Sequence, residues 1–251
     1  MDYYDNNVAG SNNLFQVMQM NNVKSLIYSS SATVYGNPLF LPFTENHPTG
    51  RNISNPYGRT KYFTEELSKD ISNTDPKWKI ISLRYFNPTG AHPSGIIGED
   101  PKGIPNNLMP YISQVAVGKL HVLNIYGSNY STPDGTCIRD FIHITDLAKG
   151  HLKALHKMFN SEFEGWKAYN LGTGRGYSVL ELVKAFEHAS GRKVNYKFTS
   201  RRYGDIPISY ADARLAENDL DWTAEKDIFE MCRDTWKWQS LNPNGYEIDE
   251  I

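Results

Sequence analysis

The sequence has little cysteine, no long apolar run and almost no net charge, and each of these lacks excludes a class of protein. Two cysteines among 251 residues cannot form a disulfide framework, and no Cys-x-x-Cys motif is present, so a reducing compartment is expected. No stretch approaches the roughly 18 apolar residues that a membrane helix requires. Because 26 basic residues stand against 28 acidic ones, for a net charge of -2, the chain offers no basic field for nucleic acid or for an anionic membrane.

Signals for targeting and for metal binding are also absent from the sequence. The opening segment, Met1 to Asp5, is acidic and polar, unlike a signal or transit peptide, so a cytoplasmic location is expected. The 7 histidines show no His-Glu-x-x-His motif and no metal-ligand spacing with Cys137 or Cys232. No metal site is therefore predicted.

What the sequence does contain is a regular alternation of strands and helices in its first part. Strands are predicted over 24–30 and 79–84, and helices over 11–20 and 56–72. Asn55 is a suitable N-cap for the second helix, and Pro56 is a suitable first residue. In the first helix, Leu14, Val17 and Met18 are expected to form the apolar face. Such alternation indicates an α/β fold with a parallel sheet and helical crossovers.

Beyond about residue 95 the predicted loops lengthen and the strands shorten, which indicates a smaller and less regular lobe. A loop rich in proline and glycine is expected from Asn87 to Asn106. Ser178 and Glu181 have the spacing of a capping box, which predicts the start of a helix. Further helices are predicted over 107–117, 146–159, 178–189, 212–219 and 225–240. Further strands are predicted over 122–126, 138–143, 168–171 and 193–198.

The first candidate for chemistry combines three serines with a tyrosine and a lysine. Ser29 to Ser31 end a predicted strand, where open parallel sheets bind ligands, and Tyr57 and Lys61 lie one turn apart on the next helix. A tyrosine that acts as a base near pH 7 needs its pKa lowered by about 3, which corresponds to roughly 4 kcal/mol, and a nearby ammonium can supply part of this. The pattern Tyr-x-x-x-Lys is also common on protein surfaces, so the spacing alone leaves both interpretations open.

Two other patterns are weaker. Gly172 to Gly176 imitates a dinucleotide-binding turn, but its third glycine falls one residue early, and the adjoining capping box explains the loop better. None of the 19 glycines belongs to a G-x-G-x-x-G motif. Arginine binds phosphate in a bidentate manner, through two hydrogen bonds, so Arg139 and Arg202 suit a diphosphate. Spacing alone does not show that the two side chains converge.

Longer blocks of sequence resemble a known family. From Asp2 to about Gly245 the chain is similar to the UDP-glucose 4-epimerase (UDP-galactose 4-epimerase) family of extended short-chain dehydrogenases/reductases. Because several blocks of eight or more residues recur in order, the resemblance favours the catalytic interpretation of Ser31, Tyr57 and Lys61. The blocks are YYDNNV from Tyr3, SSSATVYG from Ser29, NPYG from Asn55, LRYFNPTGAHPSG from Leu83, GEDPKGIPNNLMPY from Gly98, RDFIH from Arg139 and YNLGTG from Tyr169, with Arg201, Arg202, Gly204 and Asp205.

The resemblance implies a fold and a division of the chain. The fold would be α/β, with a partial doubly wound, Rossmann-like parallel sheet lacking its first strands, plus a smaller mixed α/β substrate-binding lobe. Residues 1–94 would form the C-terminal half of an NAD-binding domain, to which later segments at about 130–171 return. Residues 95–251 would form mainly the UDP-sugar-binding lobe.

The resemblance also implies an activity, the interconversion of UDP-glucose and UDP-galactose through a 4-keto intermediate, with NAD as cofactor. Tyr57 would be the general base and acid on the sugar 4-hydroxyl with help from Ser31, and Lys61 would hold the cofactor ribose and lower the pKa of Tyr57. Arg139 and Arg202 would bind the diphosphate. Further implied cofactor contacts are Asn6, Ser29 and Tyr85. Further implied substrate contacts are Phe86, Asn87, Asn107, Leu108, Asp205 and Ser209.

Three features bear on the substrates and on the extent of the chain. Ala32 and Thr33 stand where related dehydratases carry an Asp-Glu pair, which disfavours elimination of water. In the family that the chain resembles, a bulky residue at the position of Ser209 excludes N-acetylated sugars, so the small serine implies UDP-GlcNAc and UDP-GalNAc as further substrates. Family members carry a glycine fingerprint and further strand-helix units before the part matched here, so the chain is expected to be N-terminally truncated, and its activity alone is left open.

Three interpretations therefore stay open. The first is an epimerase. The second is a non-catalytic remnant that binds UDP-sugar or pairs with a full-length subunit. The third is another sugar-nucleotide dehydratase or decarboxylase, against which Ala32 and Thr33 count. The helices at 11–20 and 57–72 resemble the pair through which these enzymes dimerise, so a homodimer is expected.

Overall fold

The computed structural model describes residues 1–246, which fall into two compact units. The first unit comprises Met1–Phe86, Ala148–Gly174 and Ser209–Thr223. The second unit comprises Asn87–Leu147, Arg175–Ile208 and the segment that starts at Ala224. Each unit is therefore assembled from segments that lie far apart in the sequence.

The strands and helices are numbered in chain order. The strands are β1 (Ser25–Ser31), β2 (Lys79–Tyr85), β3 (Asn87–Thr89), β4 (Leu123–Tyr126), β5 (Ile138–His143), β6 (Gly165–Leu171), β7 (Gly176–Ser178), β8 (Tyr196–Thr199) and β9 (Ile208–Ser209). The α-helices are α1 (Gly10–Met20), α2 (Pro56–Thr74), α3 (Leu108–Ala116), α4 (Ile144–Asn160), α5 (Val179–Ser190), α6 (Arg214–Leu220) and α7 (Ile228–Leu241). A π-helical segment, Tyr4–Ala9, precedes α1, and a 3-10 turn, Ala32–Tyr35, follows β1. All the predicted helices and strands are present, with ends shifted by a few residues at most.

The first unit is built on a three-stranded parallel sheet with the order β1-β2-β6. The middle strand is mostly apolar, and Ile80, Ile81 and Leu83 are fully buried, as expected for a parallel strand with both faces covered. In the register of the sheet, Ser31 lies beside Tyr85, so the carboxyl ends of β1 and β2 meet at one edge. The predicted α/β class with a parallel sheet is confirmed.

Helix α2 begins as predicted and then departs from an ordinary amphipathic pattern. The side chain of Asn55 accepts a hydrogen bond from the Gly58 N–H, and Pro56 is the first helical residue. Its buried side is made of small, polar and charged residues, namely Gly58, Thr60, Thr64, Glu65, Ser68 and Ser72. Buried polar groups need hydrogen-bond partners, so this helix is held by specific contacts as well as by apolar packing.

The apolar face predicted for α1 is partly wrong. Phe15 and Met18 are buried in a cluster with Trp78, whereas Leu14 and Val17 are 50% and 55% exposed. The reason is tertiary, because Trp78, just before β2, packs against the side of the helix that carries Phe15 and Met18. Leu14 and Val17 are turned away from that cluster and remain as exposed apolar surface.

The second unit contains mixed pairing of short strands. Strand β5 pairs with β3 in parallel and with β7 in antiparallel orientation, and β4 pairs with β8 in parallel. The loop expected from Asn87 to Asn106 is therefore wrong at its start, because Asn87–Thr89 form β3 beside Phe141–His143. The mixed α/β character expected of this lobe is confirmed. Its core includes Met109, Ile112, Leu123, Phe141, Leu182, Phe186, Met231 and Cys232.

The predicted capping box in the second unit is also confirmed. Ser178 and Glu181 form it with hydrogen bonds in both directions at the start of α5. Trp238 on α7 is 2% exposed, so this helix packs against the rest of the unit. The preference for a structural interpretation of the glycine-rich loop before α5 agrees with the short strand β7, which joins the end of this loop to the helix.

Candidate active site

The carboxyl edge of the first unit's sheet carries the serines that the sequence places at a strand end. After Ser31, the chain enters the 3-10 turn, and the Thr33 N–H donates a hydrogen bond to Ser31 Oγ at 3.2 Å. The Thr33 hydroxyl contacts the same oxygen at 2.9 Å. These contacts hold the Ser31 side chain at the edge where open parallel sheets bind ligands.

Tyr57 and Lys61 face this edge from the first turns of α2. The Lys61 ammonium donates to the carbonyl oxygen of Ser29 at 2.8 Å and lies 5.6 Å from the centroid of the Tyr57 ring. The side chains of Tyr57 and Ser31 are hydrogen-bond partners. The structure therefore brings together four residues that the sequence suggests only by type and spacing.

The protonation of Tyr57 is set mainly by its burial, with smaller effects from Ser31 and Tyr3. Burial raises the pKa of Tyr57 above its ordinary value, and the hydrogen bond with Ser31 lowers it by less. Burial also lowers the pKa of Lys61. Lys61 is not among the groups that shift the pKa of Tyr57 in this structure, and its ammonium donates to the Ser29 carbonyl oxygen. By itself, the chain keeps Tyr57 protonated and neutral.

Tyr85 joins this cluster from the end of β2. Its hydroxyl donates to Ser29 Oγ at 2.9 Å and contacts His151 Nε2 at 2.5 Å. Burial raises the pKa of Tyr85, and the hydrogen bond with Ser29 opposes the rise. His151 on α4 is a residue that sequence reasoning missed, because no motif or spacing connects this helix to the end of β2.

The side chains at this edge fit the nicotinamide end of NAD. The hydroxyls of Ser29, Ser31, Tyr57 and Tyr85 can donate and accept hydrogen bonds, and the Lys61 ammonium has three donors. Ribose hydroxyls and a carboxamide require such mixed partners, and the carboxyl edge of a parallel sheet is where dinucleotides bind. Four of the cofactor contacts that the resemblance implies, Ser29, Tyr57, Lys61 and Tyr85, lie together at this edge.

The second unit contains a cavity of about 320 Å³, a size within the range of small-molecule pockets. Six residues expected to bind substrate line it: Asn87, Asn107, Leu108, Arg139, Arg202 and Asp205. Sequence reasoning missed several other lining residues, among them Tyr111, Asn124, Tyr126 and Cys137. Tyr126 could have been found from its position at the end of a predicted strand, whereas Tyr111 and Cys137 carry no comparable signal.

Two arginines give this cavity positive charge. The Arg202 guanidinium lies 4.8 Å from the centroid of the Tyr126 ring, and its Nε donates to the Asp205 carboxylate at 3.1 Å. Arg139 Nη1 donates to the Ile138 carbonyl oxygen at 2.8 Å. Because a guanidinium has five N–H donors, these contacts orient both groups and leave donors for a phosphate.

Three expected site residues belong neither to the cluster at the sheet edge nor to the lining of the cavity. Asn6 is exposed in the π-helical segment and donates to the Asn7 side chain. Phe86 is buried with its ring 6.3 Å from that of Phe43. Ser209 is 8% exposed and ends the short strand β9. Their roles as cofactor or substrate contacts stay predictions.

Some features are absent from residues 1–246, the part of the chain that the structure describes. None of the helices in this range is both long and apolar enough to cross a membrane. Within the same range, no group of three or more His, Cys, Asp or Glu side chains is placed to hold a metal ion. The cysteines Cys137 and Cys232 are buried and free.

Proteins of similar sequence are known. The family model described as "NAD dependent epimerase/dehydratase family" matches residues 1–172. The UDP-glucose 4-epimerase of Drosophila melanogaster is 62% identical over 246 residues, which cover 98% of this chain and 70% of that protein. The UDP-glucose 4-epimerase of Homo sapiens is 54% identical over 246 residues, with coverage of 98% and 70%. The chain thus spans about 70% of the length of these relatives.

Solved structures show the same likeness. The UDP-glucose 4-epimerase from Bifidobacterium longum, in complex with NAD+ and UDP, is 53% identical with a TM-score of 0.94, over 98% of this chain and 72% of that one. The enzyme from Stenotrophomonas maltophila is 48% identical with a TM-score of 0.91, over 96% and 71%. The resemblance to UDP-glucose 4-epimerases, the Rossmann-like fold and the NAD dependence expected from the sequence are confirmed. On sequence and on fold, the chain belongs to the NAD dependent epimerase/dehydratase family.

Proposed function

We propose that this chain carries the acid-base residues and the nucleotide pocket of a UDP-glucose 4-epimerase, which interconverts UDP-glucose and UDP-galactose with NAD as cofactor. The observation that carries the proposal is the cluster at the edge of β1 and β2, where Lys61 donates to Ser29 and Tyr57 bonds Ser31. Relatives named UDP-glucose 4-epimerase, at 62% and 54% identity, support the choice of substrate pair.

Tyr57 is the base and the acid of the proposed reaction. It accepts the proton of the sugar 4-hydroxyl as the hydrogen on C4 departs, and it returns the proton to O4 after the 4-keto sugar has turned over. Ser31 hydrogen-bonds with the reacting oxygen. When bound, NAD supplies the hydride acceptor and donor, so no net redox change results. Because burial keeps Tyr57 neutral in the chain by itself, a positive charge must stabilise its phenolate, and Lys61 is the cation that lies nearby.

The second unit holds the nucleotide in this proposal. Arg139 and Arg202 bind the diphosphate through charge-assisted hydrogen bonds, and Asp205 accepts from a ribose hydroxyl. Asn107 and Leu108, at the start of α3, and Asn87 supply further contacts with UDP. Because the sugar has to turn over between the two half-reactions, the binding free energy must come mainly from the UDP part.

Conversion of UDP-galactose to UDP-glucose by the purified chain with added NAD tests this proposal. We expect conversion by the chain and a far slower conversion by Tyr57→Phe, which keeps the ring and lacks the hydroxyl. Absence of conversion together with absence of UDP binding in calorimetry would contradict the proposal. UDP binding without conversion would favour a second candidate function.

That second candidate is a subunit that binds UDP-sugar without turning it over alone. One observation favours it: among the described strands, β1 pairs with β2 on one side and with none on the other. Such an edge can pair with another polypeptide. Co-purification of the tagged chain with the full-length Drosophila relative is the expected result for this candidate. A dehydratase is disfavoured by Ala32 and Thr33, and loss of water from UDP-glucose is not expected.

The proposal extends to N-acetylated substrates through Ser209. Its side chain is small, and we expect it to leave room for the acetamido group of UDP-GlcNAc and UDP-GalNAc. A chain that interconverts UDP-glucose and UDP-galactose but not this second pair would refute the extension.

The proposal also includes a homodimer formed through α1 and α2, and a cytoplasmic location. Leu14 and Val17 on α1 and Phe63 on α2 are 50%, 55% and 44% exposed, so both helices present apolar surface that a second copy can cover. Light scattering of the purified chain tests the dimer. Fractionation of cells that produce a tagged chain tests the location.

A further inference from the structure

A buried ion pair lies beneath the candidate active site in the first unit. Glu65 on α2 and Arg84 on β2 are 0% and 2% exposed. Arg84 donates from Nε to Glu65 Oε1 at 3.0 Å and from Nη2 to Glu65 Oε2 at 2.7 Å. The pair is therefore bidentate, which fixes both the distance and the relative orientation of the helix and the strand.

Further hydrogen bonds tie this pair to the other strands of the sheet. Ser30 Oγ on β1 donates to Glu65 Oε1 at 2.5 Å, and Arg84 Nη1 donates to the Tyr35 hydroxyl at 3.0 Å. The Tyr35 hydroxyl in turn donates to Asn170 Oδ1 on β6 at 2.6 Å. One connected network thus joins α2 to all three strands of the sheet and to the 3-10 turn that follows β1.

The position of Glu65 along α2 links this network to the candidate catalytic residues. Tyr57, Lys61 and Glu65 are spaced four residues apart, so they lie on one side of the helix. Their partners are three consecutive residues of β1: Lys61 contacts Ser29, Glu65 contacts Ser30 and Tyr57 contacts Ser31. A slip of α2 by one residue would turn this side by about 100° and move it by about 1.5 Å, and the bidentate contact resists both movements.

The energetics of buried ion pairs indicate that stability is not the main role of the network. Removing two charges from water costs about as much as their attraction returns, and apolar replacements of buried pairs are often neutral or stabilising. The best-attested use of such groups is to specify one register among several. A network placed one turn below Lys61 is suited to that use.

We propose that Glu65 and Arg84 are positioning residues, which hold the rotation of α2 so that Tyr57 and Lys61 meet Ser31 and Ser29. Neither residue touches substrate or cofactor in this proposal, and both act through the helix. The catalytic importance of the alignment rests on the proposed function. The alignment itself does not depend on the proposed function, because the contact between Lys61 and Ser29 can be measured without turnover.

The test compares the double variant Glu65→Leu/Arg84→Met with the wild-type chain. Apolar replacement of both partners leaves no uncompensated buried charge, so folding is expected to persist. Ile81→Val, a buried change on the same strand and outside the network, is the control for lost packing. Ser30→Ala removes one hydrogen bond to Glu65 and is the milder variant if the double variant does not fold.

Two readouts separate positioning from stability. In the conversion of UDP-galactose, the double variant is expected to lose about a hundredfold in kcat, the scale of a misplacement of about 1 Å, with KM within about twofold. Ser30→Ala is expected to lose severalfold, and Ile81→Val to keep the wild-type kcat. Titration of the Lys61 13Cε shift by NMR, assigned with Lys61→Arg, is the second readout. The pKa of Lys61, lowered by burial, is expected to return toward its ordinary value in the double variant.

The outcomes are distinct. A folded double variant with the wild-type kcat and the wild-type Lys61 titration would overturn the proposal. If only Ser30→Ala folds, an unchanged Lys61 titration in that variant would overturn it. A loss in Ile81→Val equal to that in the double variant would show a general effect of stability and would also overturn it. If the wild-type chain does not convert UDP-galactose, the proposed function fails, while the Lys61 titration still decides whether the network positions α2.

Discussion

The Lys61 ammonium donates a hydrogen bond to the carbonyl oxygen of Ser29 at 2.8 Å, across 32 positions of sequence. This contact ties the second turn of α2 to the carboxyl end of β1. It places the cation one helical turn from Tyr57. The Tyr57 side chain forms a hydrogen bond with Ser31, which lies at the same edge of the sheet. A pattern that is common on protein surfaces thereby becomes a candidate acid-base site.

Replacement of Tyr57 by Phe should reduce the conversion of UDP-galactose by about 10²- to 10⁴-fold, the usual contribution of a general acid-base group. The change removes one hydroxyl and keeps the ring, so the thermal midpoint should stay close to that of the wild-type chain. Initial rates with saturating NAD are the measurement. Tyr62→Phe on the same helix is the matched control and should keep its rate; similar losses in both variants would contradict the assignment.

Arg202 and Arg201 offer a matched pair for the nucleotide pocket. Arg202 lines the cavity beside Asp205, whereas Arg201 lies over the Tyr130 ring and donates to the Asn129 side chain at 2.7 Å. A hydrogen bond to a charged group contributes about 1.5–3 kcal/mol, so Arg202→Ala should weaken UDP binding by about ten- to a hundredfold. Calorimetry measures this effect. Arg201→Ala should change the affinity by less than about threefold, and an equal loss would argue against the diphosphate role.

Stability at high pH should depend on Tyr35. Burial raises the pKa of Tyr35 from 10.0 to about 12, although the Arg84 charge opposes the rise. Because the folded state holds this proton more tightly, the contribution to stability is complete below pH 10 and is lost as the pH rises through 12. A difference of about 2 in pKa corresponds to about 3 kcal/mol.

Urea unfolding between about pH 9 and pH 12 checks this pH dependence. The free energy of unfolding of the wild-type chain should fall across this range as other groups titrate, and the difference from Tyr35→Phe isolates the contribution of one phenol. The free energy of unfolding of Tyr35→Phe should fall by about 3 kcal/mol less across the same range. At pH 8 this variant is less stable than the wild-type chain, because the hydrogen bonds with Arg84 and Asn170 are lost. Parallel curves for the two proteins would refute the prediction.

The exposed side of α1 provides a test of the proposed dimer. Val17 is 55% exposed, and Val17→Glu places a charge on surface that a second copy would cover. A charge buried without a partner is costly, so this variant should elute as a monomer in size-exclusion chromatography with light scattering. Leu152→Glu on α4, where the native residue is 66% exposed, is the control and should leave the dimer intact. A wild-type chain that is monomeric at high concentration would exclude this arrangement.

Local features of the fold could be predicted because their causes are local. Asn55 and Pro56 start α2, and Ser178 and Glu181 start α5, through contacts between residues at most three positions apart. Local periodicity was less informative for α1. It indicates which side chains share a side of the helix, but the packing of Trp78 decides that Phe15 and Met18 lie inside while Val17 remains outside.

The candidate site also has one part that the sequence identifies and another that only the tertiary structure shows. The residue types and spacing of Tyr57 and Lys61, together with the long matching blocks, identify the family and its chemistry from the sequence by itself. The contact of Tyr85 with His151 joins residues 66 positions apart, and the pair of Glu65 and Arg84 joins residues 19 positions apart on different elements. Only the tertiary structure decides such contacts, because they depend on which helix packs on which strand and in what register. Spacing along the chain carries no information about that packing.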